Sequence, residues 1–382
     1  MTKRTRNRIL ESILLLFIGA AITLAVVFIR LDDAEKESPA KTGVSIAVSN
    51  EGFFLGAKPI VSTGGPLKGT KLPVESNGYI PKFTALAGYT HLGEGKPEML
   101  WVDNDGTVLE HWVIENKFGG ILGDRRFLPN GNILFVIGLD GVFEMDLEGN
   151  IHWEYYDDTV NHHAELIETG NILLANIGCD CIQEVDYETK KVVWEWNAKQ
   201  NFDRYDNPEN YKGTLDFVGA ENAFEVVDVS SSMFPHDWTH INYAQYLPKT
   251  DTFMVSLRSF DLIAEINRAG EIIWSFGPGV IKHQHYPRVL SDGTILIYDN
   301  GNGRVIRIAR DHTILWEYKG LYAPFLGDND LLLDGNYKIV QTIASEATGN
   351  ASDLRIVNPN KETLWKLSFP GNHMYRVDLQ EK

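Results

Sequence analysis

Beyond about residue 80, short apolar runs and polar turns alternate along the chain, and one phrase keeps returning. Phe127 to Tyr155 reads FLPNGNILFVIGLDGVFEMDLEGNIHWEY, and Leu166 to Trp196 reads LIETGNILLANIGCDCIQEVDYETKKVVWEW. Tyr246 to Phe276 reads YLPKTDTFMVSLRSFDLIAEINRAGEIIWSF, and Val289 to Tyr318 reads VLSDGTILIYDNGNGRVIRIARDHTILWEY. Each phrase holds a turn such as Asn130-Gly131 or Asp292-Gly293, an apolar strand, a second alternating strand, another polar turn and a strand ending in aromatic residues. That pattern predicts a four-stranded antiparallel unit. Tryptophans mark the beat, with 41 residues from Trp153 to Trp194, 42 from Trp274 to Trp316 and 49 from Trp316 to Trp365. Propeller blades recur at about 40 to 50 residues.

A weaker first unit around Met99 to Val113 and a last around Asp330 to Leu367 bring the expected number of blades to six. The fold class read from this pattern is all-β, a six-bladed β-propeller over residues 51–382. Trp194 and Trp274 stand 80 residues apart, so an insertion at about 197–237 separates the third and fourth blades. A long loop on a rigid scaffold commonly carries function, and its place suggests a cover over the central channel.

The N-terminus follows a different pattern. Lys3, Arg4, Arg6 and Arg8 precede an almost unbroken apolar run of 17 residues from Ile13 to Ile29, near the lower limit for crossing a bilayer. Acidic residues follow the run, so the positive-inside rule puts the N-terminus in the cytoplasm and exports the rest. Residues 1–30 read as a signal anchor forming a single transmembrane helix, and 31–50 as a polar tether. A cleaved signal peptide is the competing reading. The globular body is then expected in the periplasm or outside the cell. A net charge of −17 with no dense basic run beyond the N-terminus excludes nucleic acid as a partner.

Cys179 and Cys181 leave three states open: structural thiols, a local disulfide or a metal site. Histidines give a stronger lead, because they follow the repeat. His162 stands eight residues before Gly170, His285 eight before Gly293, and His240 eight before Pro248, taken as the matching turn position. Such positions begin the innermost strand of a blade, so the three side chains are expected to converge at one mouth of the channel. His163 and His283 compete with their neighbours for these places, and the turn count favours His162 and His285.

These residues resemble a known family, the bacterial aryl-sulfate sulfotransferases. The similarity is densest from His236 to Ser259, HDWTHINYAQYLPKTDTFMVSLRS, where a Trp leads through His-x-Asn to an arginine eighteen residues past the histidine. It extends to DNDGTVLEHW, the His162 stretch, Gln284-His285, DNGNGR (Asp299 to Arg304) and the closing MYRVDL. The resemblance implies transfer of a sulfuryl group from an aryl sulfate to a phenolic acceptor through a sulfohistidine, without a nucleotide donor, metal or other cofactor. It implies His285 as nucleophile, with Arg258, His240 and His162 holding the sulfuryl and bridging oxygens, and Asn242 and Arg304 as substrate-binding residues. The oligomeric state stays open, a homodimer included. The alternative function is a non-enzymatic, quinoprotein-like propeller that binds partners in the envelope. Such a scaffold needs the tryptophans and turns but has no use for channel histidines.

Overall fold

The computed structural model describes residues 48–49, 52–53, 58–89, 96–115, 122–138, 140–201, 238–323, 326–342, 352–369 and 374–382. The expected anchor, the tether up to residue 47 and residues 202–237 of the insertion lie outside them. No helix among the described residues is long and apolar enough to cross a membrane. The chain divides into two units, Met1–Phe53 and Phe54–Lys382. In the first, β1 (Val48–Ser49) pairs with β2 (Gly52–Phe53).

The second unit is a six-bladed propeller. After two short strands, β3 (Ile60–Ser62) and β4 (Val74–Ser76), the first blade supplies β5 (Phe83–Tyr89), β6 (Glu98–Val102) and β7 (Val108–Glu115). Four regular blades follow. They are β8 to β11 (Leu122–Phe127, Ile133–Ile137, Gly141–Met145, Ile151–Tyr156) and β12 to β15 (Val160–Leu166, Ile172–Asn176, Cys181–Val185, Val192–Asn197). Then come β16 to β19 (Ile241–Leu247, Thr252–Leu257, Leu262–Asn267, Ile272–Phe276) and β20 to β23 (His285–Val289, Ile295–Asp299, Arg304–Ile308, Ile314–Lys319). The sixth blade is β24 to β27 (Asp328–Leu331, Tyr337–Gln341, Ser352–Val357, Thr363–Phe369), and the chain ends in β28 (Met374–Glu381). β28 pairs with β5, so the first blade is built from both ends of the unit. The repeat did not announce this closure, since β28 carries neither the turn nor the tryptophan of the other units. β3 and β4 add a fifth, outer strand to the first and sixth blades.

The tryptophan beat has a physical cause. Each outer-strand indole reaches across to the next blade and donates to a backbone carbonyl: Trp112 to Leu147, Trp153 to Tyr187, Trp194 to Arg268, Trp274 to Arg310 and Trp316 to Pro359. Trp365 packs edge-on against Phe83 of the first blade, with ring centroids 5.8 Å apart. Each such hydrogen bond contributes about 1 kcal/mol, and the ring area buried between blades adds more. Strands β9, β13 and β21, buried along their whole length, are apolar on both faces because each blade is packed on both sides. The six innermost strands, β8, β12, β16, β20, β24 and β28, neighbour one another in a closed ring around the axis and run in the same direction.

Candidate active site

Five of the innermost strands end in a turn closed by the same hydrogen bond: Gly131 to Leu128, Gly170 to Ile167, Thr250 to Leu247, Gly293 to Leu290 and Gly335 to Leu332, N–H to carbonyl. Five residues back from each acceptor stand Gly123, His162, Asn242, His285 and Gly327, which therefore form one layer around the axis. Tyr375 completes the layer, because β28 bulges against β5 as β8 does against β9. One step further along the strands lies a second layer of buried residues, Asp124, His163, Tyr243, Tyr286, Asp328 and Arg376.

This register corrects the count that aligned His240 with His162 and His285. In the fourth blade the residue that closes the turn onto Leu247 O is Thr250, so Thr250 and not Pro248, two residues earlier, matches Gly170 and Gly293. Asn242 thus occupies the equivalent position. His240 joins the cluster from two residues earlier, on a left-handed backbone at φ 49°. Its Nε2 lies 2.9 Å from His162 Nε2. The His162 ring lies 6.5 Å from that of His285 and 5.5 Å from that of Tyr375, and the His285 and Tyr375 rings are 6.2 Å apart. His163 instead faces the second layer, with Nδ1 2.8 Å from Asp124 Oδ2. Gly123 lets β8 approach the strand that carries His162 closely, since a Cβ there would meet Asn161 O at 2.3 Å.

Hydrogen bonding sets the His285 tautomer. Asn300 Nδ2 donates to Ala323 O at 2.5 Å and Leu326 O at 2.8 Å, which leaves Oδ1 as an acceptor 2.8 Å from His285 Nδ1. Nδ1 therefore carries the proton, and Nε2 keeps its lone pair. Burial, followed by the charge of Arg258, holds the His285 pKa well below 6.5, so the ring is neutral. Burial also lowers the His162 pKa, followed by the neighbouring His240 and His285. With two Nε2 atoms in hydrogen-bond contact, one ring donates and the other accepts, and the pair shares a proton.

The rest of the local structure holds these groups in place. Arg258 opens the 3₁₀ turn Arg258–Phe260, and its N–H donates to His240 O at 3.2 Å. Gln284, fully buried, donates to Ser256 Oγ and Leu262 O and so anchors the backbone before His285. Asp180 Oδ1 accepts from Trp238 N, Thr239 N and Thr239 Oγ1, fastening the segment that carries His240. Cys179 and Cys181 on either side of Asp180 form a disulfide, which decides among the three states left open for them. With Glu195 they are the described His, Cys, Asp or Glu group whose ligand atoms lie close enough for a metal, but their sulfurs are bonded to each other.

Two further sequence candidates differ in their surroundings. Asn242 Nδ2 donates to Gln284 O at 3.0 Å, tying the two histidine-bearing strands together. Arg304 is not brought to the cluster: its guanidinium donates to Asp299 at 2.7 Å, to Glu317 at 2.7 Å and to Val280 O at 2.7 Å. Reasoning from spacing missed the tautomer-setting role of Asn300 and the floor beneath the histidines. There Arg376 Nη1 lies 2.8 Å from Asp124 Oδ2, and Nη2 donates to Asn242 O and Tyr375 Oη. The signal for the floor was the Tyr-Arg pair in MYRVDL, an aromatic and a cation side by side on an innermost strand.

The sequence model of one family, described as Arylsulfotransferase (ASST), matches residues 82–281. The chain belongs to the arylsulfotransferase family. The match spans the first four blades and ends just before His285. No curated protein matches this arylsulfotransferase. Among solved structures, a protein of unknown function from Bacteroides caccae is similar at 14% identity and a TM-score of 0.58, covering 79% of this chain and 100% of that one. A chain of a nidogen/laminin complex is similar at 10% identity and a TM-score of 0.50, covering 78% and 98%. At these identities the likeness concerns the propeller fold alone.

Buried neutral histidines make the arylsulfotransferase fold sensitive to acid. The unfolded chain binds protons at His162 and His285 near pH 6.5, whereas the folded chain does so only at much lower pH. Protons therefore favour the unfolded state, and stability falls as pH drops below about 6.5. Thermal unfolding measured from pH 7.5 to pH 5 is expected to show a falling Tm, with a shallower fall in His285→Asn.

Proposed function

We propose that this protein transfers a sulfuryl group from an aryl sulfate to a phenol, with His285 as the carrier. Membership of the arylsulfotransferase family implies aryl-sulfate sulfotransferase activity. The observation that carries the histidine route is the Asn300–His285 hydrogen bond, which leaves a neutral imidazole with its Nε2 lone pair available. In the first half-reaction Nε2 attacks sulfur, the S–O bond to the aryl group breaks, and the aryl group departs as a phenoxide held by N–H donation from the His162–His240 pair. In the second, the acceptor phenol gives its proton to that pair, its oxygen attacks sulfur, and the N–S bond breaks. Arg258 stabilises the sulfuryl oxygens as charge spreads over them, as positioned cations do in phosphoryl transfer.

We also place the propeller outside the cytoplasm, tethered through residues 13–29. The basic-then-apolar N-terminus supports this, as does the Cys179–Cys181 disulfide, a bond of oxidising compartments. The decisive assay is release of 4-nitrophenol from 4-nitrophenyl sulfate at several phenol concentrations. Release that rises with phenol and gives parallel double-reciprocal lines is the expected result. Converging lines would mean direct transfer without a carrier, and no release from folded protein across a panel of aryl sulfates would favour a binding scaffold.

A further inference from the structure

On the far side of the second layer the propeller holds a cavity of about 670 Å³, walled by residues further along the innermost strands such as Arg126, Arg288, Asp330 and Asp378. Leu333, 90% exposed, and Ile80, 76% exposed, also line it, so it is open to bulk solvent. Charged walls of both signs in a space of this size suit water. Asp124, Tyr286, Asp328 and Arg376 of the second layer face this cavity, whereas no residue of the histidine layer is among its walls. A single layer of side chains therefore divides the cavity from the histidines.

That layer is closely joined. Arg376 Nη1 lies 2.8 Å from Asp124 Oδ2, the oxygen that also faces His163 Nδ1 at 2.8 Å. The guanidinium carbon lies 4.5 Å from the centre of the Tyr286 ring and 5.4 Å from that of Tyr243, and the two rings are 4.5 Å apart. Tyr243 in turn packs 4.7 Å from the His163 ring. Asp328 Oδ2 accepts from Lys338 Nζ at 2.7 Å and from Val377 N at 3.0 Å. All six residues of the layer are buried. Arg376 touches both compartments, since it lines the cavity while its Nη2 donates to Tyr375 Oη and Asn242 O on the histidine side.

A sulfuryl group held on a histidine nitrogen is open to attack by water as well as by a phenol. An aryl group entering the histidine mouth displaces water on that side as it binds, but it cannot dry the side that faces the cavity. Closed sites protect reactive intermediates from hydrolysis by keeping water out.

We propose that the second layer is a water seal that fixes the acceptor, with Arg376 and Tyr286 as its positioning residues: it keeps cavity water from the sulfuryl group on His285, so that a phenol takes it. The inference rests on the sulfuryl-transfer reading. With the seal broken, a water oxygen attacks sulfur and the N–S bond breaks, its electron pair returning to Nε2. One proton of the water passes to the His162–His240 pair, and hydrogen sulfate leaves. The transferase then works as a sulfatase.

The test uses the full chain with 4-nitrophenyl sulfate and a fixed concentration of phenol, and measures phenyl sulfate formed and inorganic sulfate released. Their ratio is decided after His285 has been loaded, so a variant that is merely slower to load keeps the native ratio. Native protein is expected to form mainly phenyl sulfate. Arg376→Ala and Tyr286→Ala each raise sulfate relative to phenyl sulfate about tenfold, a change of about 1.4 kcal/mol between the two barriers. Tyr286→Phe, which keeps the ring, stays at the native ratio. If Arg376→Ala does not fold because Asp124 loses its partner, Tyr286→Ala carries the test. A native ratio in the folded alanine variants, or mainly sulfate from the native protein, overturns the proposal. Native protein that yields neither product fails earlier, at sulfuryl transfer itself, and takes this inference with it.

Discussion

His285→Asn lowers the rate of 4-nitrophenol release roughly 10⁴-fold or more, because removing a covalent nucleophile takes away the route itself rather than one of its supports. Asparagine retains a polar side chain of similar reach but has no basic nitrogen to attack sulfur. It can still bond Asn300, so the layer keeps its packing and the loss reads on chemistry. Intact-protein mass spectrometry provides the second measurement. Native protein mixed with donor in the absence of acceptor gains the mass of one SO₃ group, and the variant does not. A variant that keeps substantial turnover, or a native protein that never gains the mass, removes His285 from the carrier role.

Arg258→Ala is expected to reduce kcat by about 10² to 10³, the usual effect of removing one donor aimed at transition-state charge. Arg258→Lys lies between alanine and native, since lysine keeps a charge but not the planar fork that engages two oxygens at once. A merely structural arginine could also lower activity, so the pH profile is the discriminating readout. The Arg258 charge is, after burial, the largest cause of the low His285 pKa. Without it His285 takes a proton at higher pH, and the acid limb of the rate profile moves up. An alanine variant within about threefold of native kcat, or an acid limb that stays in place, removes the arginine from transition-state stabilisation.

Much of the fold was legible because its signals are local. Hairpin turns such as Asn130-Gly131 and the tryptophans that hydrogen-bond the next blade recur within each unit, so periodicity alone exposes them. The closure was not legible, because β28 is recognised only by its pairing with β5, far away in sequence. The histidine register held for His162 and His285, whose turns are identical in length. It slipped for His240, because the turn position matching Gly170 is Thr250, whose N–H closes the bond to Leu247 O, and not Pro248 two residues earlier. Arg304 shows the opposite limit: its motif looked like a ligand set, yet Asp299 and Glu317 claim its guanidinium within the same blade. Asn300 lies in that same motif, and only the carbonyls of Ala323 and Leu326 from the next segment reveal which way its amide points.

Tyr375 and Arg376 sit on the final strand of the chain, yet they form part of the wall and the floor of the histidine mouth. During synthesis these residues leave the ribosome long after His162, His240 and His285 have emerged. The mouth therefore assembles at the end of folding, when the slow, long-range pairing of β28 with β5 closes the ring. A chain halted before Met374 would retain all three histidines and still lack the finished site, which makes the arrival of β28 its own activation step.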